Sequence, residues 1–210
     1  GGVSLYFAGD SITRRWGATD YPQFLAHWRE TFHGWNAGNF AWGGDSTQHI
    51  LWRLRQGELD GVNPKVVVLL AGTNNLGRSG NDDAKVADIT RGVTAVVAEI
   101  RARAPLAKII LMGILPRNDI PDVMPAINRI NDNLARIADG QTVRYLNINH
   151  RLADADGKLY EGMMGDRLHL ILKGYEVWAE ALTPVLTELL GPRAATDTAP
   201  PPTGDPSAAR

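Results

Sequence analysis

The 210-residue chain contains no cysteine. Disulfides, thiolate catalysis and cysteine-ligated metal centres are therefore excluded. It also lacks a long hydrophobic run. The longest, "VVVLLA" (66–71), is far shorter than the ~20 apolar residues that span a bilayer, so no membrane span is expected. Neither sign of charge dominates: Lys and Arg total 22, Asp and Glu 23. That balance gives no reason to expect nucleic acid or an anionic membrane as a partner. No HExxH or clustered histidine pair occurs, and no metal is expected. No GxGxxG follows any apolar run, and "GDSITRRWG" (9–17) makes an unconvincing phosphate loop, so no nucleotide cofactor is expected. The chain begins on Gly1, which suggests trimming or processing. A removed leader would leave no trace, and a secreted or periplasmic location is slightly favoured.

Hydrophobic residues make up 44% of the chain, enough for one well-built core. Apolar β-type runs alternate with helical patterns. Strands are expected at 3–9, 35–42, 65–72, 107–115 and 143–148. Helices are expected at 21–32, 47–57, 125–139 and 172–190, the last bent at Pro184. The clearest helix carries Val86, Ile89, Val93, Val96, Val97 and Ile100 on one face. Five strands separated by helices imply an α/β fold: a doubly wound, parallel, five-stranded sheet in a three-layer α/β/α arrangement. Residues 1–191 form this single domain. Residues 192–210, rich in proline, alanine and small polar residues, are expected to be a disordered tail or linker.

In an open parallel sheet, ligands bind beyond the carboxyl ends of the strands. The first strand ends at Gly9-Asp10-Ser11. The tripeptide returns at Gly44-Asp45-Ser46 after the second. The third ends at "AGTNN" (71–75) and the fourth at "LPRN" (115–118). "GDRLHL" (165–170) follows the last strand. A serine nucleophile needs a base, the base needs an orienting carboxylate, and the developing oxyanion needs fixed donors. This edge offers candidates for each. Asp166 stands three residues before His169, a spacing that suits a turn bringing the carboxylate to Nδ1. Asp10 suits a turn hydrogen bond. Asp45 is expected to cap the following helix with Gln48 as its capping-box partner, leaving Ser46 a bystander in the first turn. His27 and His33 read as satisfied or surface histidines, and His49 and His150 as weaker candidates for a base.

Four blocks, "GDSIT" (9–13), "GGDSTQHILWRLRQGEL" (43–59), "GTNN" (72–75) and "DRLHL" (166–170), resemble the SGNH/GDSL hydrolases, and most of all the platelet-activating-factor acetylhydrolase Ib catalytic-subunit type. The resemblance covers most of residues 3–180. It implies the flavodoxin-like fold of that family and a serine esterase without cofactor. Ser11 then matches the nucleophile, His169 the base and Asp166 its orienting carboxylate. The N–H groups of Ser11 and Gly44 and the side-chain amide of Asn74 match the oxyanion hole. The commoner third block is Gly-x-Asn-Asp; Asn75 here follows the acetylhydrolase-like branch. Ile12, Trp42, Leu168 and Arg117 are assigned to the substrate pocket, where bulky Ile12 and Leu168 would favour a short acyl group. The expected substrate is a small-molecule or carbohydrate acetyl ester. The alternatives are a lipid-directed acetylhydrolase or lysophospholipase, a thioesterase, and a non-catalytic binding module. A homodimer is one expectation carried by the resemblance.

Overall fold

The computed structural model describes residues 2–204. Its centre is a sheet of five parallel strands: β1 (Leu5–Gly9), β2 (Ala37–Asn39), β3 (Val66–Leu70), β4 (Lys108–Met112) and β5 (Val143–Leu146). Their order is β2-β1-β3-β4-β5, and every neighbouring pair is parallel. β3 is buried along its whole length. That explains its unbroken run of β-branched and leucine residues, since a central strand has no solvent face.

Alternate side chains of each strand feed two cores. Tyr6, Ala8, Val67, Leu69, Ile109 and Leu111 join one core. It is covered by α3 (Thr47–Arg55), α4 (Asp83–Arg103) and α5 (Met124–Ala135). The six periodic residues of α4, from Val86 to Ile100, are all buried there. Leu5, Phe7, Val66, Val68, Leu70, Ile110 and Met112 face the other core. It is covered by α1 (Ser11–Gly17), α2 (Pro22–Phe32), α6 (Asn149–Leu152) and α7 (Leu172–Leu190), the last continuing through Pro184. Trp16 is the hub of this layer, with ring centroids 5.0 Å from those of Phe32, Tyr175 and Trp178. The chain thus folds as the expected three-layer α/β/α sandwich.

Residues 192–204 form neither helix nor strand, as their composition dictates. They lie against the body. Asp197 Oδ2 accepts hydrogen bonds from the Gly34 and Asn36 N–H groups at 2.8 and 3.3 Å. Thr198 N–H donates to Asn36 Oδ1 at 2.6 Å, and Thr203 O accepts from Thr19 N–H at 3.3 Å. Loop polar groups around β2 find their partners in this strap. Residues 205–210 of the expected tail lie outside the described residues.

Candidate active site

In the strand order β2-β1-β3-β4-β5 the order of strand addition reverses between β1 and β3, and a crevice opens beyond their carboxyl ends. Ser11 follows β1, and Asn74 follows β3 in a single 3-10 turn, Thr73–Asn75. Asp10 caps α1: its Oδ1 accepts from Ile12 N–H at 2.9 Å. This fixes Ser11 as the first helical residue, at the sheet edge. Asp10 is fully buried, and desolvation pushes its carboxyl up to about 7.

Ser11 Oγ lies 2.9 Å from His169 Nε2, and His169 Nδ1 lies 2.6 Å from Asp166 Oδ2. The other oxygen, Asp166 Oδ1, accepts the backbone N–H groups of Leu168 and His169 at 3.1 and 2.7 Å. This turn is what the three-residue spacing builds. Desolvation pushes the Asp166 carboxyl up, but the hydrogen bonds from His169 and Leu168 outweigh it and hold the group at about 2. An ionised carboxylate only accepts, so His169 carries its proton on Nδ1 and turns the Nε2 lone pair to Ser11.

The second tripeptide lies beside the first. Trp42 N–H donates to Gly9 O at 3.2 Å, which ties this loop to the end of β1. Gly44 has φ +77°, a left-handed conformation that favours glycine. A Cβ there would meet nothing within 4 Å, so backbone conformation, not crowding, demands the glycine. Asp45 does not cap α3. Its carboxylate is 3.0 Å from Arg53 Nη2, and Arg53 Nε is 3.0 Å from Glu58, which in turn accepts from Tyr6 OH. Ser46 is the cap residue instead, and its N–H donates to His49 Nδ1 at 3.1 Å. The pairing expected between Asp45 and Gln48 is thus shifted by one residue, because Arg53 draws the Asp45 carboxylate away from the helix start.

Asn74 Nδ2 donates one hydrogen to Asp45 O at 2.9 Å, leaving the second for a ligand. Asn75 braces the same turn: its Oδ1 accepts from Thr47 N–H at 2.9 Å and its Nδ2 donates to Gln48 Oε1 at 2.7 Å. Gly72, at φ +117°, starts the turn, and a Cβ there would come within 2.8 Å of Ile114.

Two of the assigned pocket residues lie elsewhere. Ile12 is 2% exposed and belongs to the core around Trp16, because one step along a helix from Ser11 turns a side chain inward. Arg117 is also buried. Its Nη1 donates to both Thr73 O and Thr73 Oγ1 at 3.0 Å, and its Nε and Nη2 hold Asp119 at 2.7 and 2.5 Å. It clamps the turn that bears Asn74, with four of its five N–H donors engaged. Leu168 is half-buried against the same core as Ile12. Trp42 is 38% exposed and lines a cleft of about 390 Å³ with Ser11, Arg14, Arg15, Asp20, Tyr21 and Gly43. His27 accepts from Trp16 Nε1 at 3.0 Å and His33 contacts Ala195 O. Sequence reading missed Arg14 and Arg15 at the cleft, although their positions three and four after Ser11 place them on its helix face. Among the described residues no cluster of His, Asp or Glu is arranged to hold a metal, and no helix is long and apolar enough to cross a membrane.

Residues 7–177 match the model of the GDSL-like Lipase/Acylhydrolase family. Platelet-activating factor acetylhydrolase IB subunit alpha1 of Bos taurus is 35% identical over 192 residues, covering 89% of this chain and 76% of the relative. Among solved structures, a putative platelet activating factor from Streptococcus pneumonia superposes with TM-score 0.70 at 24% identity, over 89% of this chain and 85% of that one. The acetyl xylan esterase AlAXEase superposes with TM-score 0.66 at 20% identity, over 87% and 98%. At these identities the two structures speak for the fold.

Proposed function

Since the chain belongs to the GDSL-like lipase/acylhydrolase family and is a carboxylic ester hydrolase, we propose that it cleaves short-chain, acetyl-type esters through an acyl-enzyme on Ser11. The hydrogen-bonded chain Ser11–His169–Asp166 carries this reading. Ser11 Oγ attacks the ester carbonyl as His169 Nε2 takes its proton. Asp166, held ionised, stabilises the imidazolium that forms. The N–H groups of Ser11 and Gly44 and the free hydrogen of Asn74 Nδ2 receive the oxyanion. His169 then protonates the leaving alcohol, and water activated by the same histidine hydrolyses the acyl-enzyme.

A short acyl group is supported by the cleft beside Ser11. Its lining sets the charged side chains of Arg14, Arg15 and Asp20 among Tyr21, Trp42 and Gly43, where a long alkyl chain would have to run. Ile12, buried in the core, plays no part in that limit. For the alcohol, the 35% identity to a protein named as a platelet-activating factor acetylhydrolase supports a lipid-like acetyl ester. The carbohydrate acetyl ester suggested by the sequence keeps only the support of shared fold. The hydrogen-bonded triad Ser11–His169–Asp166 lies within one chain.

Hydrolysis of p-nitrophenyl esters from acetate to decanoate, by the wild type and Ser11→Ala, tests this. The acetate is expected to be the best substrate and Ser11→Ala to be inactive on all. Decanoate cleaved as well as acetate would refute the short-chain reading.

A further inference from the structure

Arg14 is a buried cation without an anionic partner. It is 9% exposed. Among the described residues its guanidinium is in no hydrogen bond or ion pair, and its Nη2 is one of the buried atoms without a partner. Its one close neighbour of note is the Trp42 ring, with Cζ 4.4 Å from the ring centroid. A cation–π contact does not saturate the five N–H donors of a guanidinium. Burying such a charge without a carboxylate or phosphate is unfavourable, which leaves its donors poised for an anion.

The next residue, part-buried, also backs onto an aromatic ring. Arg15 Cζ lies 5.4 Å from the centroid of Tyr21. Its nearest carboxylate oxygen, Asp166 Oδ2, is 3.9 Å away, beyond hydrogen-bond reach, and that oxygen already accepts from His169. Arg14 and Arg15 follow Ser11 by three and four residues on α1, so both stand over the turn that carries the nucleophile. Asp20 also lines the cleft, but its carboxylate lies against the backbone of Gly204, where an added Cβ would sit 3.2 and 3.4 Å from the two oxygens.

We propose that Arg14 and Arg15, backed by Trp42 and Tyr21, form a subsite for an anionic oxygen group on the substrate, a carboxylate or a phosphate, one helical turn from Ser11. This rests on the esterase reading above and narrows its substrates to acidic esters. Planar guanidinium forks suit both groups, because each presents paired oxygens.

The test compares three acetate esters: 4-acetoxybenzoate, its neutral methyl ester, and 4-acetoxyphenyl phosphate. The methyl ester has the better leaving group of the benzoate pair, so a preference for the anion reports binding. At least one anionic ester is expected to exceed the neutral one by about tenfold or more in kcat/KM, the size of one charge-assisted hydrogen bond. Arg14→Gln and Arg15→Gln should each bring that ratio towards one, chiefly through KM. Should Arg14→Gln fail to fold, Arg15→Gln carries the comparison. Comparable kcat/KM for charged and neutral esters, or a preference that survives both substitutions, overturns the subsite and leaves the esterase standing. Equal losses on neutral and anionic esters in Arg15→Gln would make that residue a partner of Asp166 alone, and overturn its part. Calorimetric titration of the wild type with 4-hydroxybenzoate and 4-hydroxyphenyl phosphate reads the subsite without turnover. Binding that weakens in the arginine variants supports it even if no ester is cleaved; no binding of either anion contradicts it.

Discussion

Ser11 and Ser46 follow the same two residues, yet only Ser11 faces a histidine backed by a carboxylate. Ser46 caps α3 and shares its polar contacts with His49. Ser46→Ala is therefore expected to lower unfolding free energy by about 1 kcal/mol and to leave ester turnover near the wild-type rate, read by urea denaturation and p-nitrophenyl acetate assay. Asn74→Ala should keep the fold and lose roughly 10²–10³ in kcat, the usual effect of removing one oxyanion donor. Wild-type turnover in that variant would remove Asn74 from the mechanism. Asp10 offers a pH test. Burial raises its carboxyl to about 7, whereas in the unfolded chain it titrates near ~3.9. Between these values the folded state holds a proton that the unfolded state has released, so stability falls as pH rises through that window. Asp10→Asn stays neutral throughout. Relative to the wild type, it should gain stability from pH ~4.5 to ~8 by denaturant titration; a difference independent of pH would contradict the buried neutral acid.

The elements show where sequence reading reaches. Helix periodicity identified all six buried residues of α4, and β-branched apolar runs marked β3 and β4, because burial on both faces writes itself into composition. β2 is only three residues long, too short for a pattern of its own, and it was legible mainly through its place in the alternation. The 3-10 turn Thr73–Asn75 left no periodic mark. Arg117 was assigned to the pocket because a strand-end arginine looks available; only the folded chain reveals that Thr73 and Asp119 engage four of its five donors. Ile12 was misassigned for a simpler reason. Once α1 begins at Ser11, the next residue points into the core, and the cleft belongs to Arg14 and Arg15. Arg117→Met should free the Asn74 turn: a loss of about 1–3 kcal/mol in stability is expected from the broken buried hydrogen bonds, with a fall in kcat larger than the change in KM. An unchanged kcat would show that the turn holds without its clamp.

For the molecule as a whole, the sheet order brings strand ends far apart in sequence to one edge, and that much followed from alternating elements and the rule for parallel sheets. The strap of residues 192–204 did not follow. Its composition signals only the lack of a core, while its anchoring depends on unpaired groups at Gly34, Asn36 and Thr19 that the body presents. Ending the chain at Gly191 should lower the thermal midpoint by a few degrees, about 1–2 kcal/mol for a domain of this size. It should also raise KM more than it lowers kcat, because Thr19 leads into the Asp20–Tyr21 wall of the cleft. The account's central claim is that, of two identical tripeptides, the one after β1 supplies the nucleophile. The most direct test is mass-spectrometric mapping of the protein after reaction with a fluorophosphonate, which forms a stable adduct only on an activated serine. The adduct is predicted on the peptide carrying Ser11 and is predicted to vanish in Ser11→Ala; an adduct on Ser46, or labelling that persists in Ser11→Ala, would contradict the account.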